Sequence, residues 1–318
     1  MGQESFLVSV IVPVFNESGN IKALVSRLLP ILQKYSYEVI FVDDGSTDDT
    51  VKDIKAICKS SPNIKILSFT RNFGHQNALS AGYKYAKGDC VISIDADLQD
   101  PPELIHEMVK AWHKGYEIVY ARRRSRDNDS IFKKYSAWAF YWLINTLSEV
   151  VIPSDVGDYR LLDTKVVKYL NSLPERALFL RGLVAWSGYK TTYVDFDRDI
   201  RHCGTTHYPL RKMIGFAVTG IAAFSAKPLR IVIYFGFLTA CMGFLGMAYA
   251  FARRFLLPHE YWVTGWTAIF VSIMFFSGVQ MLVLGVIGEY IGRIFGQVQY
   301  RPLYLVREEI NIDPQVTN

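Results

Sequence analysis

Between residue 7 and about residue 120, short and almost uninterrupted apolar runs alternate with stretches whose apolar positions recur at helical spacing. The runs LVSVIVPVF (7–15), YEVIFVDD (37–44), IKILSF (64–69), CVISIDA (90–96) and EIVYA (117–121) are rich in Val and Ile and predict strands. The stretches near 17–34, 48–59, 75–86 and 101–113 predict helices. Strands apolar on both faces, alternating with helices, predict an α/β fold with a mostly parallel sheet covered on both sides. In such sheets ligands gather outside the carboxyl ends of the strands. The polar residues ending these runs are therefore expected along one edge: Asn16 and Glu17, Asp43 and Asp44, Arg71 and Asn72, then Asp95 and Asp97.

The pattern changes in the last third of the chain. Residues 229–252 and 264–288 carry no charge beyond Arg230 at the edge of the first. Each exceeds the ~20 residues needed to cross a bilayer, and both predict transmembrane helices. Lys227 and Arg230 precede the first, and Arg293, Arg301 and Arg307 follow the second. The positive-inside rule then places both termini in the cytoplasm. Arg253 and Arg254 in the connecting loop pull the other way, but the N-terminal MGQESFLVSVIVPVF has no basic leader that would export the large domain. Residues 208–226, apolar with Arg211 and Lys212 at one end, predict an interfacial helix. The expected organisation is a cytosolic domain over 1–207, a juxtamembrane helix over 208–228, a transmembrane pair over 229–288 and a cytosolic tail over 289–318. Glycines such as Gly236, Gly243, Gly278 and Gly285 would allow close helix contacts, which makes a homo-oligomer an expectation.

Composition adds less. With 318 residues, half of them hydrophobic, the chain can bury a full core and still have apolar sequence left for a membrane. The four cysteines fall in no paired or metal-like spacing and read as reduced thiols. Of the net charge of +5, the informative part is its clustering in ARRRSR (121–126) and FKK (132–134). Beside a membrane, Arg122, Arg124, Arg126, Lys133 and Lys134 are candidates for gripping a lipid phosphate. A membrane surface is the expected partner, and no nucleic acid is.

An edge crowded with carboxylates repels itself unless a cation or a donor-rich ligand sits within it. Any one acidic residue there can instead cap a helix, as Asp48 in GSTDDT is expected to do. Asp95 and Asp97 alternate in what reads as an extended segment, so both carboxylates can point the same way. Two carboxylates with the carbonyl oxygen of Gln99 suit a hard divalent ion, Mg²⁺ or Mn²⁺, that also binds a substrate diphosphate. Neither GxGxxG nor GxxxxGK[ST] occurs, which excludes a Rossmann dehydrogenase or P-loop ATPase by signature.

VSVIVPVFNE, VDDGSTDDT, TRNFGHQNALSAG and DADLQDPPE, followed by GDYRLLD (157–163), RHCGTTHY (201–208), KPLR (227–230) and GEYIGR (288–293), resemble in order and spacing the family 2 glycosyltransferases of the GT-A fold. The resemblance covers nearly the whole chain. It is to the GtrB-like branch, which transfers a sugar to polyprenyl phosphate and is related to dolichyl-phosphate mannosyltransferase. It implies a GT-A nucleotide-sugar-binding domain followed by interfacial and transmembrane helices, in a bacterial inner membrane. Pro13, Asn16, Glu17 and Asp44 would hold the nucleotide, Asp95 and Ala96 the nucleotide sugar, and Asp95, Asp97 and Gln99 the metal and diphosphate.

The same resemblance places Asp158 at the acceptor side of the catalytic centre and Arg201 in a loop beside it. The loop keeps Arg201, Gly204 and Tyr208 of the family pattern but has Thr206 and His207 where Ser and Lys are usual. The QxxRW motif of processive synthases is absent, so one sugar per acceptor is expected. A phosphate monoester has a second pKa of ~6 and needs little deprotonation, so Asp158 is expected to orient or stabilise, with base catalysis the alternative. The implied reaction is inverting transfer of a hexose, glucose from UDP-glucose first, to undecaprenyl phosphate. Mannosyl or aminosugar transfer, or an inactive nucleotide-binding scaffold, are the alternatives. A transporter subunit is disfavoured because neither span has a charge in its middle.

Overall fold

The computed structural model describes residues 4–124, 153, 156–175, 179–197, 227–256 and 265–312. The first half follows the sequence pattern closely: β1 (Glu4–Val14), α1 (Ser18–Leu32), β2 (Tyr35–Asp43), α2 (Thr50–Ser60), β3 (Ile64–Phe69), α3 (His75–Tyr85), β4 (Cys90–Ser93), a single 3-10 turn (Pro102–Leu104), α4 (Ile105–His113) and β5 (Ile118–Arg123). There follow β6 (Val156–Asp163), α5 (Thr164–Ser172), α6 (Leu180–Trp186), β7 (Thr191–Phe196), the long helices α7 (Lys227–Leu256) and α8 (Trp266–Val298), and β8 (Val306–Ile310).

The eight strands form one sheet in the order β7-β5-β6-β4-β1-β2-β3-β8. Six run one way; β6 and β8 are antiparallel to their neighbours. The apolar runs exist because the central strands are buried on both faces. Val8, Val10, Val12 and Val14 of β1 pack with Ile21, Leu24 and Leu28 of α1 on one side. Ile11 packs with Ala78, Leu79 and Ala81 of α3 on the other. Neighbouring β1 residues thus enter two different cores, which a helix of the same composition could not do.

The antiparallel run of β6 matters for function. Ser93 pairs with Arg160, so the start of β6 lies just beyond the carboxyl end of β4. Asp158 therefore reaches the same edge as the strand-terminal acids, although it stands near the beginning of its own strand.

The expectation of an extended DAD segment is corrected. β4 stops at Ser93, and after Ile94 the chain turns: Leu98 adopts φ 60° and the Asp97 carboxylate accepts a hydrogen bond from the Gln99 amide at 3.1 Å. Leu98 is buried, so core packing holds a left-handed backbone that costs a non-glycine residue ~1–2 kcal/mol.

The boundary drawn at 288 also moves. α8 continues ten residues past Gly288, across an Arg293–Glu289 pair at 2.8 Å one helical turn apart. The segment expected as a tail then returns as β8 to pair with β3, so it belongs to the domain sheet. Asn311, one residue beyond β8, donates to the carbonyls of Cys58 and Ile64, and Tyr304 stacks on Phe69 at 4.8 Å. α7 and α8 are each long and apolar enough to cross a membrane, over Leu229–Gly246 and Ser272–Val298, and none of the described side chains in either stretch is buried in the protein. The expected interfacial helix over 208–228 lies outside the described residues up to residue 226.

Candidate active site

A cleft of about 210 Å³ opens over the carboxyl ends of β1, β2 and β4 and the start of α3. Its walls include Pro13, Glu17, Asp44, Asp95, Ala96 and Asp97, six of the residues expected from sequence, together with Phe15 and His75, which sequence reasoning passed over. Asp95 and Asp97 are partly exposed to it. Burial raises the Asp95 carboxyl above its ordinary value, and the charges of Asp158 and Asp97 add to the rise while His75 opposes it. A carboxylate destabilised by its acidic neighbours is one that a cation would relieve.

The loops around the cleft are stitched together by the other acidic and amide groups. Asn16, at φ 56°, accepts from the Thr47 amide at 2.8 Å, while its own amide donates to the Ser46 hydroxyl at 2.9 Å. This joins the turn after β1 to the turn after β2. Asp48 accepts from the Thr50 amide at 3.0 Å and the Ser18 amide at 3.3 Å, covering the starts of both α2 and α1. Asp44 accepts from the amides of Phe73 and Gly74, at 2.6 and 2.9 Å, and so fixes the loop entering α3. Burial raises the Asp44 carboxyl despite those two hydrogen bonds. Gly45 is required here: at φ 75°, an added Cβ would stand 2.4 Å from the Arg71 carbonyl carbon.

Asp158 sits behind the cleft, buried, at the centre of a charged cluster. Oδ1 accepts from Arg160 Nη2 at 2.8 Å and from Arg181 Nε at 3.1 Å. Oδ2 accepts from Arg181 Nη2 at 3.0 Å, with His75 Nε2 at 3.3 Å. Burial alone would raise this carboxyl, but Arg181, His75 and Arg160 together hold it well below the ordinary carboxylate range. His75 also stands 3.7 Å from Asp95 and thereby links the cluster to the acidic turn. Its imidazole is drawn down by burial, yet Asp158 and Asp95 raise it above its ordinary value.

Residues 9–170, about half of the chain, match the family described as Glycosyl transferase family 2. The chain belongs to that family. Residues 227–294 match the GtrB C-terminal hairpin, which corresponds to α7 and α8. The chain is 45% identical over 308 residues to the uncharacterized glycosyltransferase YkcC of Bacillus subtilis, covering 96% of this chain and 94% of that one. It is 40% identical over 304 residues to the bactoprenol glucosyl transferase of Shigella phage SfV, covering 95% and 98%. It is 39% identical over 302 residues to the prophage bactoprenol glucosyl transferase homolog of Escherichia coli, covering 94% and 98%. Coverage near completeness on both sides means that domain and hairpin are shared as a unit.

As a family 2 glycosyltransferase with a GT-A-like sheet, the protein brings together Pro13, Asn16, Glu17, Asp44, Asp95, Ala96, Asp97, Gln99 and Asp158 at one sheet edge. Arg122, proposed from sequence for a lipid phosphate, is instead clasped by Asp195, with Nε–Oδ1 2.6 Å and Nη2–Oδ2 3.1 Å. Arg124 follows β5. Arg126, Lys133, Lys134 and Arg201 lie outside the described residues. Sequence reasoning missed His75, Arg160 and Arg181. The first two stood within quoted motifs, but the burial that makes Asp158 need cationic company is visible only in the fold.

Proposed function

We propose that the protein transfers glucose from UDP-glucose to the phosphate of a polyprenyl lipid at the cytoplasmic face of a membrane, with inversion at the anomeric carbon. The observation that carries the reading is the pairing of the Asp95–Asp97 cleft with a membrane hairpin, in a chain similar over nearly its full length to proteins named bactoprenol glucosyl transferases. The lipid cannot leave the bilayer cheaply at ~0.8 kcal/mol per buried CH₂, so the enzyme must come to it. Because β8 returns from the end of α8 to the domain sheet, that end of the hairpin lies on the catalytic side, which supports a cytoplasmic carboxyl terminus. The exposed glycines along α7 and α8 leave room for the helix of a second copy, consistent with a homo-oligomer.

Asp95, Asp97 and Gln99 would hold Mg²⁺ or Mn²⁺. Among the described residues no group of three or more His, Cys, Asp or Glu encloses a metal site. Two carboxylates suit an ion that takes its remaining oxygens from a substrate diphosphate and water. When bound, the ion would neutralise charge on the departing diphosphate. The chain's own residues do the rest. Pro13, Glu17 and Asp44 line the side of the cleft assigned to the nucleotide, and the turn at Leu98 fixes Asp97. A phosphate oxygen of the acceptor attacks the anomeric carbon as the bond from that carbon to the diphosphate oxygen breaks, the electron pair leaving with the nucleoside diphosphate. The acceptor dianion has no proton to lose. Asp158, held deprotonated by Arg181, His75 and Arg160, serves as an anchor for those cations.

The test is a transfer assay in detergent with undecaprenyl phosphate and, separately, labelled UDP-glucose, GDP-mannose and UDP-N-acetylglucosamine, with and without EDTA. Labelled lipid from UDP-glucose alone, lost with EDTA, is the expected result. Label from another donor would contradict the glucose assignment, and turnover unchanged by EDTA would contradict the metal.

A further inference from the structure

We propose that His75 is a positioning residue for the divalent ion: held by Asp158, its imidazole sets the Asp95 carboxylate for metal binding. The inference rests on the metal reading above and adds the group that fixes one of the two carboxylates.

The two carboxylates are fixed in different ways. Asp97 Oδ1 accepts from the Gln99 amide at 3.1 Å, so the turn at Leu98 orients that side chain locally. Asp95 has no such tie. Among the described residues, the one ion pair its carboxylate makes is with His75, whose Nε2 lies 3.7 Å from Oδ1. The Asp95 side chain is 38% exposed, so without that contact it could turn among its rotamers. The contact is made through Oδ1, which leaves Oδ2 to a hard cation that takes carboxylate oxygens.

His75 can orient Asp95 because it is itself held at both ends. On the backbone side, the Phe73 and Gly74 amides donate to Asp44 at 2.6 and 2.9 Å, and Gly74, at φ 102°, turns the chain into α3, of which His75 is the first residue. The next residue, Gln76, accepts from the Leu180 amide at 3.1 Å and ties α3 to α6. On the ring side, Nε2 lies 3.3 Å from Asp158 Oδ2, and Asp158 is buried and gripped by Arg160 and Arg181. A ring nitrogen that faces two carboxylate oxygens presents a hydrogen to them, so Nε2 carries the proton whether the ring is neutral or charged. One N–H thus links an exposed carboxylate to a buried one. With Nε2 committed in this way, and with hard divalent ions preferring oxygen, His75 orients a ligand and does not act as one.

The experiment titrates Mn²⁺ into the full-length protein in detergent with saturating UDP, follows the free ion by electron paramagnetic resonance, and corrects for the Mn²⁺ that UDP alone takes up. Uridine affinity, which needs no diphosphate-bound ion, is measured in parallel. His75→Ala should weaken Mn²⁺ binding about tenfold, the lower end of what loss of an orienting group costs, while uridine affinity stays within about twofold. His75→Gln places an amide nitrogen about as far out as Nε2 and should stay within about threefold of wild type; His75→Asn stops at the level of Nδ1 and should behave like His75→Ala. A thermal melt of each variant checks folding; if His75→Ala does not fold, His75→Asn against His75→Gln carries the comparison. Unchanged Mn²⁺ binding in His75→Ala and His75→Asn would overturn the proposal, as would tighter binding, which would mark His75 as a competitor of the ion. Uridine affinity lost in equal measure would overturn it too. Wild type that binds no Mn²⁺ would defeat the metal reading and the proposal with it. The expected order across the His75 series, in a protein that labels no lipid from any donor, would defeat the transfer reading and still support the positioning role.

Discussion

Two buried carboxylates, one at each edge of the same sheet, have opposite surroundings. Glu38, near the amino end of β2, accepts from the Ser9 hydroxyl, from Lys65 Nζ at 2.7 Å and from the Lys87 amide at 2.7 Å. Gly88 completes the clasp: its amide donates to Ser9 Oγ at 2.8 Å, and a Cβ there would come within 2.7 Å of the Ser9 backbone. In this knot one lysine balances one glutamate. Asp158, at the carboxyl edge, meets two arginines and a histidine, and the histidine ties it to a second carboxylate, Asp95, in the wall of the cleft. Burial of a charge is therefore a poor guide to function by itself; whether one of its partners reaches the cleft separates a structural knot from a site.

The contrast can be tested by striking each edge. The largest effect is expected from Asp97→Ala, which should lower transfer at least a thousandfold, about 4 kcal/mol of transition-state stabilisation, while the melting temperature stays close to wild type. Asp158→Asn should cost about 3 kcal/mol of stability, because Arg160 stays buried without its counter-charge, and should lower turnover while the nucleotide still binds in a titration. Acid titration sharpens that second prediction. A carboxyl held well below its ordinary value of 3.8 contributes its full stability above that value and loses it as the pH falls toward the folded value. Wild type should thus lose more stability than Asp158→Asn between pH 5 and pH 3 in denaturant melts, as estimated from that linkage. At the opposite edge, Lys65→Met should cost about 2 kcal/mol in the same melts and leave turnover per folded molecule unchanged. The smallest effect, about 1 kcal/mol, is expected from Asn311→Ala, which removes the ties from the end of β8 to Cys58 and Ile64.

The same contrast explains what the sequence could reveal. β1 to β5 and α1 to α4 were legible because central strands buried on both faces leave unbroken apolar runs and their helices keep a helical period. The acids of the cleft were legible as strand endings. β6 was not read as a strand, because Asp158 and Arg160 interrupt its apolar run with charges that neutralise each other only in three dimensions. β8, sequence VREEI, reads as a charged tail. Its acids are satisfied from afar, Glu308 by Lys55 and Glu309 by the Tyr85 hydroxyl, more than two hundred residues away in sequence. Helix α8 outruns its apolar stretch because Glu289 and Arg293 pair along the exposed face. His75 opens α3 with no periodic signal, and only the fold brings it between Asp95 and Asp158.

The most direct measurement is transfer from labelled UDP-glucose to undecaprenyl phosphate, taken with melting temperature, for wild type, Asp97→Ala and Lys65→Met purified side by side. The account predicts a stable but inactive Asp97→Ala and a less stable but active Lys65→Met. Substantial turnover by Asp97→Ala, or loss of activity in Lys65→Met beyond its loss of folded protein, would contradict the assignment of the chemistry to the carboxyl edge.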